Sequence, residues 1–370
     1  MPSCLPPSPS STGEGGSVSG QCRRGTRWVL RANGRAVSPT EAPGARTMKT
    51  TTLTYESRDA ASTVHALMWE PDEVASGGEA PRGLVQIVHG MSEHVERYAE
   101  FAAFLCEQGF AVCANDHIGH GKTAASASDL GHMPLEAGED VLVADVQALH
   151  EIALERLSTQ CDMRVSGIPY VIFGHSMGSF ITRVFLTRHA FGVRAAILCG
   201  TGHQARALSS AGKALTSALA KRHGERYVSE LVDGLGAGSY AKAIRDAKTD
   251  VDWLATDPEV VAEYQRDPLC GQPFTVGAYH TLASLVSDAT DPRLARKVPH
   301  ALPLLFIAGD QDPVGECGAG VHRAAEMYRK AGVERVSEKL YPGMRHEILN
   351  DPVRGEVHCD VLAWLERQGL

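Results

Sequence analysis

Gly174-His175-Ser176-Met177-Gly178 has the spacing G-x-S-x-G. It stands between a short apolar run, Tyr170–Phe173, and a helical pattern that begins at Met177. A sharp strand-to-helix turn lifts a serine hydroxyl above a sheet edge, and glycines on either side let neighbouring backbone pack closely. The chemistry this suits is nucleophilic attack by Ser176 on an acyl carbon. Such attack builds a tetrahedral oxyanion, which needs N–H donors already in place. One candidate donor is the backbone N–H of Met177. The other is the N–H of Met91 in His89-Gly90-Met91-Ser92-Glu93-His94, where Gly90 leaves room for a substrate carbonyl. His175 adjoins the nucleophile and is expected to point elsewhere, in a packing or hydrogen-bonding role.

A serine presented this way is followed along the chain by an acid and then by a histidine. That order sets aside His89, His94, His117, His120 and His132, which precede Ser176. Tyr341-Pro342-Gly343-Met344-Arg345-His346 follows a strand pattern at Val336–Tyr341, and His346 is the candidate base. Gly309-Asp310-Gln311-Asp312 follows the apolar run Leu302–Ala308 and offers two acids. Either could hold the imidazole in one tautomer and stabilise the imidazolium. Asp310, directly at the strand end, could instead bind turn amides. His358 is expected to pack in the last helix, and Glu347 and Asp351 to cap it.

These residues need a sheet whose strands end at one edge. Thr63–Trp69, Gly83–His89, Phe110–Asn115, Tyr170–Phe173, Val193–Cys199, Leu302–Ala308 and Val336–Tyr341 read as strands. Helical patterns alternate with them, at about 95–108, 140–157, 177–189, 319–330 and toward Arg367. Repeated β-α units predict an α/β fold, a mostly parallel sheet with helices on both faces. About a hundred residues between 199 and 302 lack strand alternation, too many for a plain loop. Leu208, Ala211, Leu215, Ala218 and Leu219 make an apolar helical stripe there, flanked by Lys213, Lys221 and Arg222. The expected division is an extension over 1–47, core over 48–202, an inserted helical cap over 203–300, and core over 301–370.

The stretches HGMSEHVERY (89–98), NDHIGHG (115–121), GHSMGS (174–179), GDQDPVG (309–315) and LYPGMRHEILND (340–351) together resemble the monoacylglycerol lipase/lysophospholipase group of α/β-hydrolases. The resemblance runs from about 83 to 365. It implies the α/β-hydrolase fold, with Ser176, Asp312 and His346 as a triad and the backbone of Met91 and Met177 as the oxyanion hole. It decides for Asp312 over Asp310. It also implies a helical cap over the site and hydrolysis of a single acyl chain from glycerol or a related alcohol. Ile118 stands where relatives often carry Arg, in a loop read as structural. An acyltransferase or thioesterase would use the same triad. A non-catalytic binding protein on this scaffold would usually have lost a triad member, and all three are available here.

Composition narrows the partners. The net charge is −8 over 370 residues, which argues against a nucleic-acid binder. Residues 1–47 hold six arginines against two glutamates and are rich in Pro, Gly and Ser. Such a segment cannot offset its ordering entropy by burial, and it is expected to be disordered. Nine cysteines include no C-x-x-C pair and no zinc-site spacing. Neither metal nor cofactor is expected, and Cys106, Cys113 and Cys199 read as buried reduced thiols. No apolar run approaches the roughly 20 residues a spanning helix needs. The expectation is a cytoplasmic enzyme acting on a small lipid ester, with the cap able to touch a membrane surface.

Overall fold

The strands that read as continuous apolar runs form the middle of one eight-stranded sheet. A computed structural model describes residues 47–370. The disordered extension expected over 1–47 lies, apart from Thr47, outside the described residues. The strands are β1 (Met48–Glu56), β2 (Thr63–Pro71), β3 (Leu84–Val88), β4 (Ala111–Asn115), β5 (Tyr170–His175), β6 (Val193–Cys199), β7 (Leu304–Gly309) and β8 (Val336–Tyr341). Their order is β1-β2-β4-β3-β5-β6-β7-β8. β2 pairs antiparallel with β1 and β4, and every pairing from β4 through β8 is parallel. β3, β4, β5 and β7 are buried at every residue, as parallel strands covered on both faces should be. β1, at the edge, alternates exposed and half-buried residues.

Side chains alternate across each strand, so the sheet divides the core in two. Leu84, Val88 and Ile172 point to one core, and Val85, Ile87, Val171 and Phe173 to the other. Short α1 (Asp72–Ala75) follows β2. α2 (Ala99–Glu107) and the C-terminal α11 (Arg354–Arg367) cover the second core. α3 (Gly138–Gln160), α4 (Met177–Arg188) and α10 (Ala319–Lys330) cover the first.

Between β6 and β7 the chain forms α5 (Arg206–His223), α6 (Glu230–Leu235), α7 (Pro258–Arg266), α8 (Val276–Ala289) and α9 (Pro292–Ala295). Asp257 and Asp291 cap α7 and α9 through their side chains, each followed by a proline at the first helical position. That pairing satisfies an orphan N–H and presets φ. α8 is packed into the first core through Ala278, Tyr279, Leu285 and Val286. The stripe expected on α5 is only partly an inward face. Leu208, Ala211 and Leu215 line a cavity, Leu219 packs on the core, and Ala218 is exposed. The residues α5 buries fully are Ser209 and Thr216, because it packs on α8 through small and hydroxylated side chains.

Candidate active site

The parallel register brings five loops to one edge of the sheet: those after β3, β5, β6, β7 and β8. At the end of β5, Ser176 adopts φ +53° and ψ −121°, a strained conformation for a residue with a Cβ. Its N–H donates to the carbonyl of Cys199 on β6 at 3.0 Å, and α4 begins at the next residue. The flanking glycines are sterically required. A Cβ on Gly178 would lie 1.9 Å from the Val88 carbonyl oxygen, and one on Gly174 would lie 2.4 Å from Gly178 O.

His346, in the loop after β8, is 1% exposed. Its Nδ1 lies 2.9 Å from Asp312 Oδ2. Asp312 is fully buried after β7, and its Oδ1 accepts the Val314 N–H at 2.9 Å. Asp310 serves the turn instead, with Oδ1 accepting the Gly343 N–H at 2.7 Å. His346 Nε2 has no hydrogen-bond partner among the described residues. His346 and Ser176 both line a cavity of about 520 Å³. Met91 and Met177 line it too. Among the described residues neither of their N–H groups is taken up by a turn or sheet hydrogen bond. The structure thus gathers Ser176, His346, Met91 and Met177 around one space, with Asp312 behind the histidine.

The cavity continues under α5, α6 and α8, walled by Leu208, Leu215, Val232, Leu235, Leu282 and Val286 among others. Trp253 and Tyr240, both from the chain between β6 and β7, close over the histidine. The Trp253 ring centroid lies 5.0 Å from that of His346, and Tyr240 packs on Trp253. Burial, with the Asp312 charge nearby, pushes the Tyr240 hydroxyl up to about 12.

Sequence reasoning missed a buried charge network behind the site. Glu93, 3% exposed, accepts from the Gly90 N–H at 2.5 Å, from Tyr98 OH at 2.8 Å and from Arg97. Its Oε1 lies 3.2 Å from His175 Nδ1. Arg97 forks onto both oxygens of Glu347 at 2.6 and 2.7 Å. His175 Nε2 lies 3.3 Å from the His346 carbonyl oxygen. The oxyanion loop and the histidine loop are therefore tied to one ion cluster. Burial opposes charge on Glu93, but His175 and Arg97 hold it well below the usual carboxylate range. Burial likewise pushes His175 down, and Glu93 outweighs it, so the imidazole is raised. Glu347 and Asp351 do not cap the last helix as expected. Glu347 pairs with Arg97, and Asp351 accepts from the Thr256 N–H and hydroxyl and the Asp257 N–H, anchoring the segment before α7. The spacing of Glu93 and Arg97, four apart, was the one visible signal of the network.

The sheet order, the strained serine at the end of β5 and the acid–histidine pair after β7 and β8 define an α/β-hydrolase. The chain belongs to the family described as serine aminopeptidase, S33, whose model matches residues 79–353. It is 29% identical over 303 residues to a monoacylglycerol lipase of Mycolicibacterium smegmatis, covering 80% of this chain and 91% of that one. A thermostable carboxyl esterase from Bacillus coagulans, solved in complex with glycerol, superposes with a TM-score of 0.77 at 31% identity. That match covers 88% of this chain and all of the other. Monoglyceride lipase from Saccharomyces cerevisiae, in complex with a substrate analog, shares the fold at a TM-score of 0.65 and 19% identity, over 89% and 98% of the two chains. The protein is a monoacylglycerol lipase-like serine hydrolase of esterase type.

Proposed function

We propose that this protein hydrolyses carboxylic esters of single acyl chains, of the monoacylglycerol or lysophospholipid kind, through an acyl-enzyme on Ser176. The observation that carries the reading is the His346–Asp312 pair set beside a strained Ser176 at the foot of an apolar cavity. His346 Nε2 takes the Ser176 hydroxyl proton as Oγ bonds to the ester carbon. The oxyanion accepts the N–H groups of Met91 and Met177. The tetrahedral intermediate collapses by breaking the bond to the alcohol oxygen, which leaves with the proton from His346. Water repeats the sequence on the acyl-enzyme, and the fatty acid departs. Asp312 stays ionised and steadies the imidazolium.

Residues 203–300 act as the cap in this reading. Each methylene drawn under it contributes about 0.8 kcal/mol, so a long chain supplies much of the binding energy. Leu208 and Leu235, 61% and 67% exposed, stand where the cavity wall meets solvent, and Leu231 is exposed on the same helix as Leu235. With Lys221 and Arg222 on α5 they suit peripheral contact with an anionic lipid surface. Among the described residues no helix is long and apolar enough to cross a membrane.

The test is a series of p-nitrophenyl esters and monoacylglycerols of graded chain length, beside an aminoacyl p-nitroanilide and an added alcohol acceptor. kcat/KM is expected to rise with chain length. Ser176→Ala and His346→Ala should each remove nearly all turnover, and the double variant should be no worse, because the residues act as a unit. No gain beyond acetate or butyrate would make it a small-ester hydrolase. Preference for the anilide would make it a peptidase, and acyl transfer outrunning hydrolysis a transferase.

A further inference from the structure

His94, Asp267 and Cys270 meet at the seam between the oxyanion loop and the chain that follows α7. One donor atom from each lies within 4.8 Å of the other two. His94 Nε2 is 2.8 Å from Asp267 Oδ2. His94 and Cys270 are 5% and 6% exposed, and the Asp267 side chain is 30% exposed. Two donors are thus removed from water and the third leaves an entry path.

We propose that these three residues bind a thiophilic divalent cation, with zinc as the best fit. The donor set, one thiolate, one imidazole and one carboxylate, belongs to the zinc class, and a solvent molecule would complete four-coordination. Bonds of about 2.0–2.3 Å at tetrahedral angles need donors about 3.3–3.7 Å apart, so His94 and Asp267, 2.8 Å apart, would part slightly while the wider separations in the trio, up to 4.8 Å, close. The ligands are already oriented. Asp267 Oδ1 accepts the Leu269 N–H at 2.9 Å, and the Cys270 N–H donates to the Asp267 carbonyl at 3.1 Å. The second ring nitrogen of His94 lies 4.0 Å from Glu96 Oε2, a carboxylate near it but beyond hydrogen-bond distance.

The nearby carboxylates are already paired, Glu93 and Glu347 with Arg97 and Glu96 with the exposed Lys122, so Asp267 is the one that would face the cation. Without metal, Cys270 is a buried thiol. Binding replaces the S–H bond with a sulfur–metal bond and releases that proton to solvent. The ion would staple the two segments beside Ser92, whose carbonyl already accepts the Gly271 N–H at 2.9 Å and whose hydroxyl donates to Gln272 O at 2.7 Å. No motif spacing announces the site, because His94 and Asp267 stand 173 residues apart.

The test uses the full chain, stripped with a chelator and titrated with Zn²⁺ alone by calorimetry, beside Cys270→Ser and Asp267→Asn. The wild type should bind one Zn²⁺ tightly and release a proton. Cys270→Ser should weaken that event by at least about 100-fold, the upper end of what loss of an outer-shell partner costs. Co²⁺ in its place should show a thiolate charge-transfer band that Cys270→Ser lacks. Zn²⁺ should raise the melting temperature of the wild type and not of Cys270→Ser. Equal zinc affinity in wild type and Cys270→Ser, or no binding by the wild type, overturns the proposal. None of these readouts uses ester turnover, so they stand or fall apart from the proposed activity.

Discussion

At the residue scale the two aspartates of Gly309-Asp310-Gln311-Asp312 show how two positions separate chemistry from turn structure. Asp312 splits its carboxylate between the His346 ring and the Val314 N–H. Asp310 Oδ1 holds the Gly343 N–H of the neighbouring loop. Asp312→Asn would leave the geometry nearly intact but present an amide N–H, or a neutral oxygen, to an imidazole that must become positive. Its kcat on a short activated ester should fall roughly 10⁴-fold. Asp310→Asn keeps an oxygen for Gly343 and should cost under about 1 kcal/mol of stability, with kcat nearly unchanged. Steady-state kinetics and denaturant melts on both variants check this, and a reversed pattern would move the acid's role to Asp310. From residue types alone this pair was a tie, which the family resemblance broke. The G-x-S-x-G turn was legible because its constraint is local. The Glu93–Arg97–Glu347 cluster was not, since Arg97 and Glu347 are 250 residues apart and charged residues read as solvated by default.

At the scale of elements, Arg183 joins pieces that sequence pattern treats separately. It lies on α4, two turns beyond Ser176, and is fully buried, with no carboxylate bonded to it among the described residues. Its guanidinium donates to Thr201 Oγ1 and Gly202 O, where the chain leaves β6, and to Ala289 O at the end of α8. The C-terminal carbonyls of α8 carry partial negative charge, which compensates the buried cation. One side chain thereby pins both ends of the helical segment to the helix that starts at the nucleophile. Arg183→Met keeps an apolar stem but removes the guanidinium that lies against Phe180 and Tyr328 and strands three acceptors. It should cost about 2–3 kcal/mol. It should raise KM for long-chain esters more than for p-nitrophenyl acetate, because Tyr279, Leu282 and Val286 of α8 wall the cavity. Equal stability and unchanged KM for both substrates would refute the pin. Elements with a clear hydrophobic pattern were visible beforehand, the continuous apolar runs of β3, β5 and β7 and the helical period of the 23-residue α3. The packing of α5 was not, because the side chains it buries fully are Ser209 and Thr216, while Leu215 and Leu219 pack on the core only half-buried.

At the scale of the whole molecule, the core holds many histidines as neutral bases. His89, His117 and His120 form one buried ring cluster under the oxyanion loop, with centroids of His89 and His117 4.0 Å apart. Burial lowers all three, His89 to about 3. Burial also lowers His358, between Phe101 and Phe104, to about 3, and His150, stacked on Tyr170, to about 4. Each takes up a proton in the unfolded chain below the ordinary pH of about 6.5 while refusing it in the folded one. Stability from these groups is therefore complete above 6.5 and drains as pH falls. Glu107 and Glu139 work the other way between their ordinary pKa and about 7, since burial raises both to about 7. Being partly exposed, they blunt the loss only down to about pH 4.5. Below that they no longer compensate, and the depressed carboxylates Glu93 and Glu347 begin to lose their own contribution. His175 is raised, so its share is present below 6.5 and lost as pH climbs through its folded pKa. The sum gives maximal stability near neutrality, a shallow decline from about 6.5 to 4.5 and a steeper one below. Denaturant melts across pH 3.5–8 should show this two-slope acid limb, and His358→Phe, which fills the same aromatic slot without a titrating nitrogen, should flatten it. A stability flat from pH 7 to 4, or an acid limb unchanged in His358→Phe, would mean the buried imidazoles do not govern it.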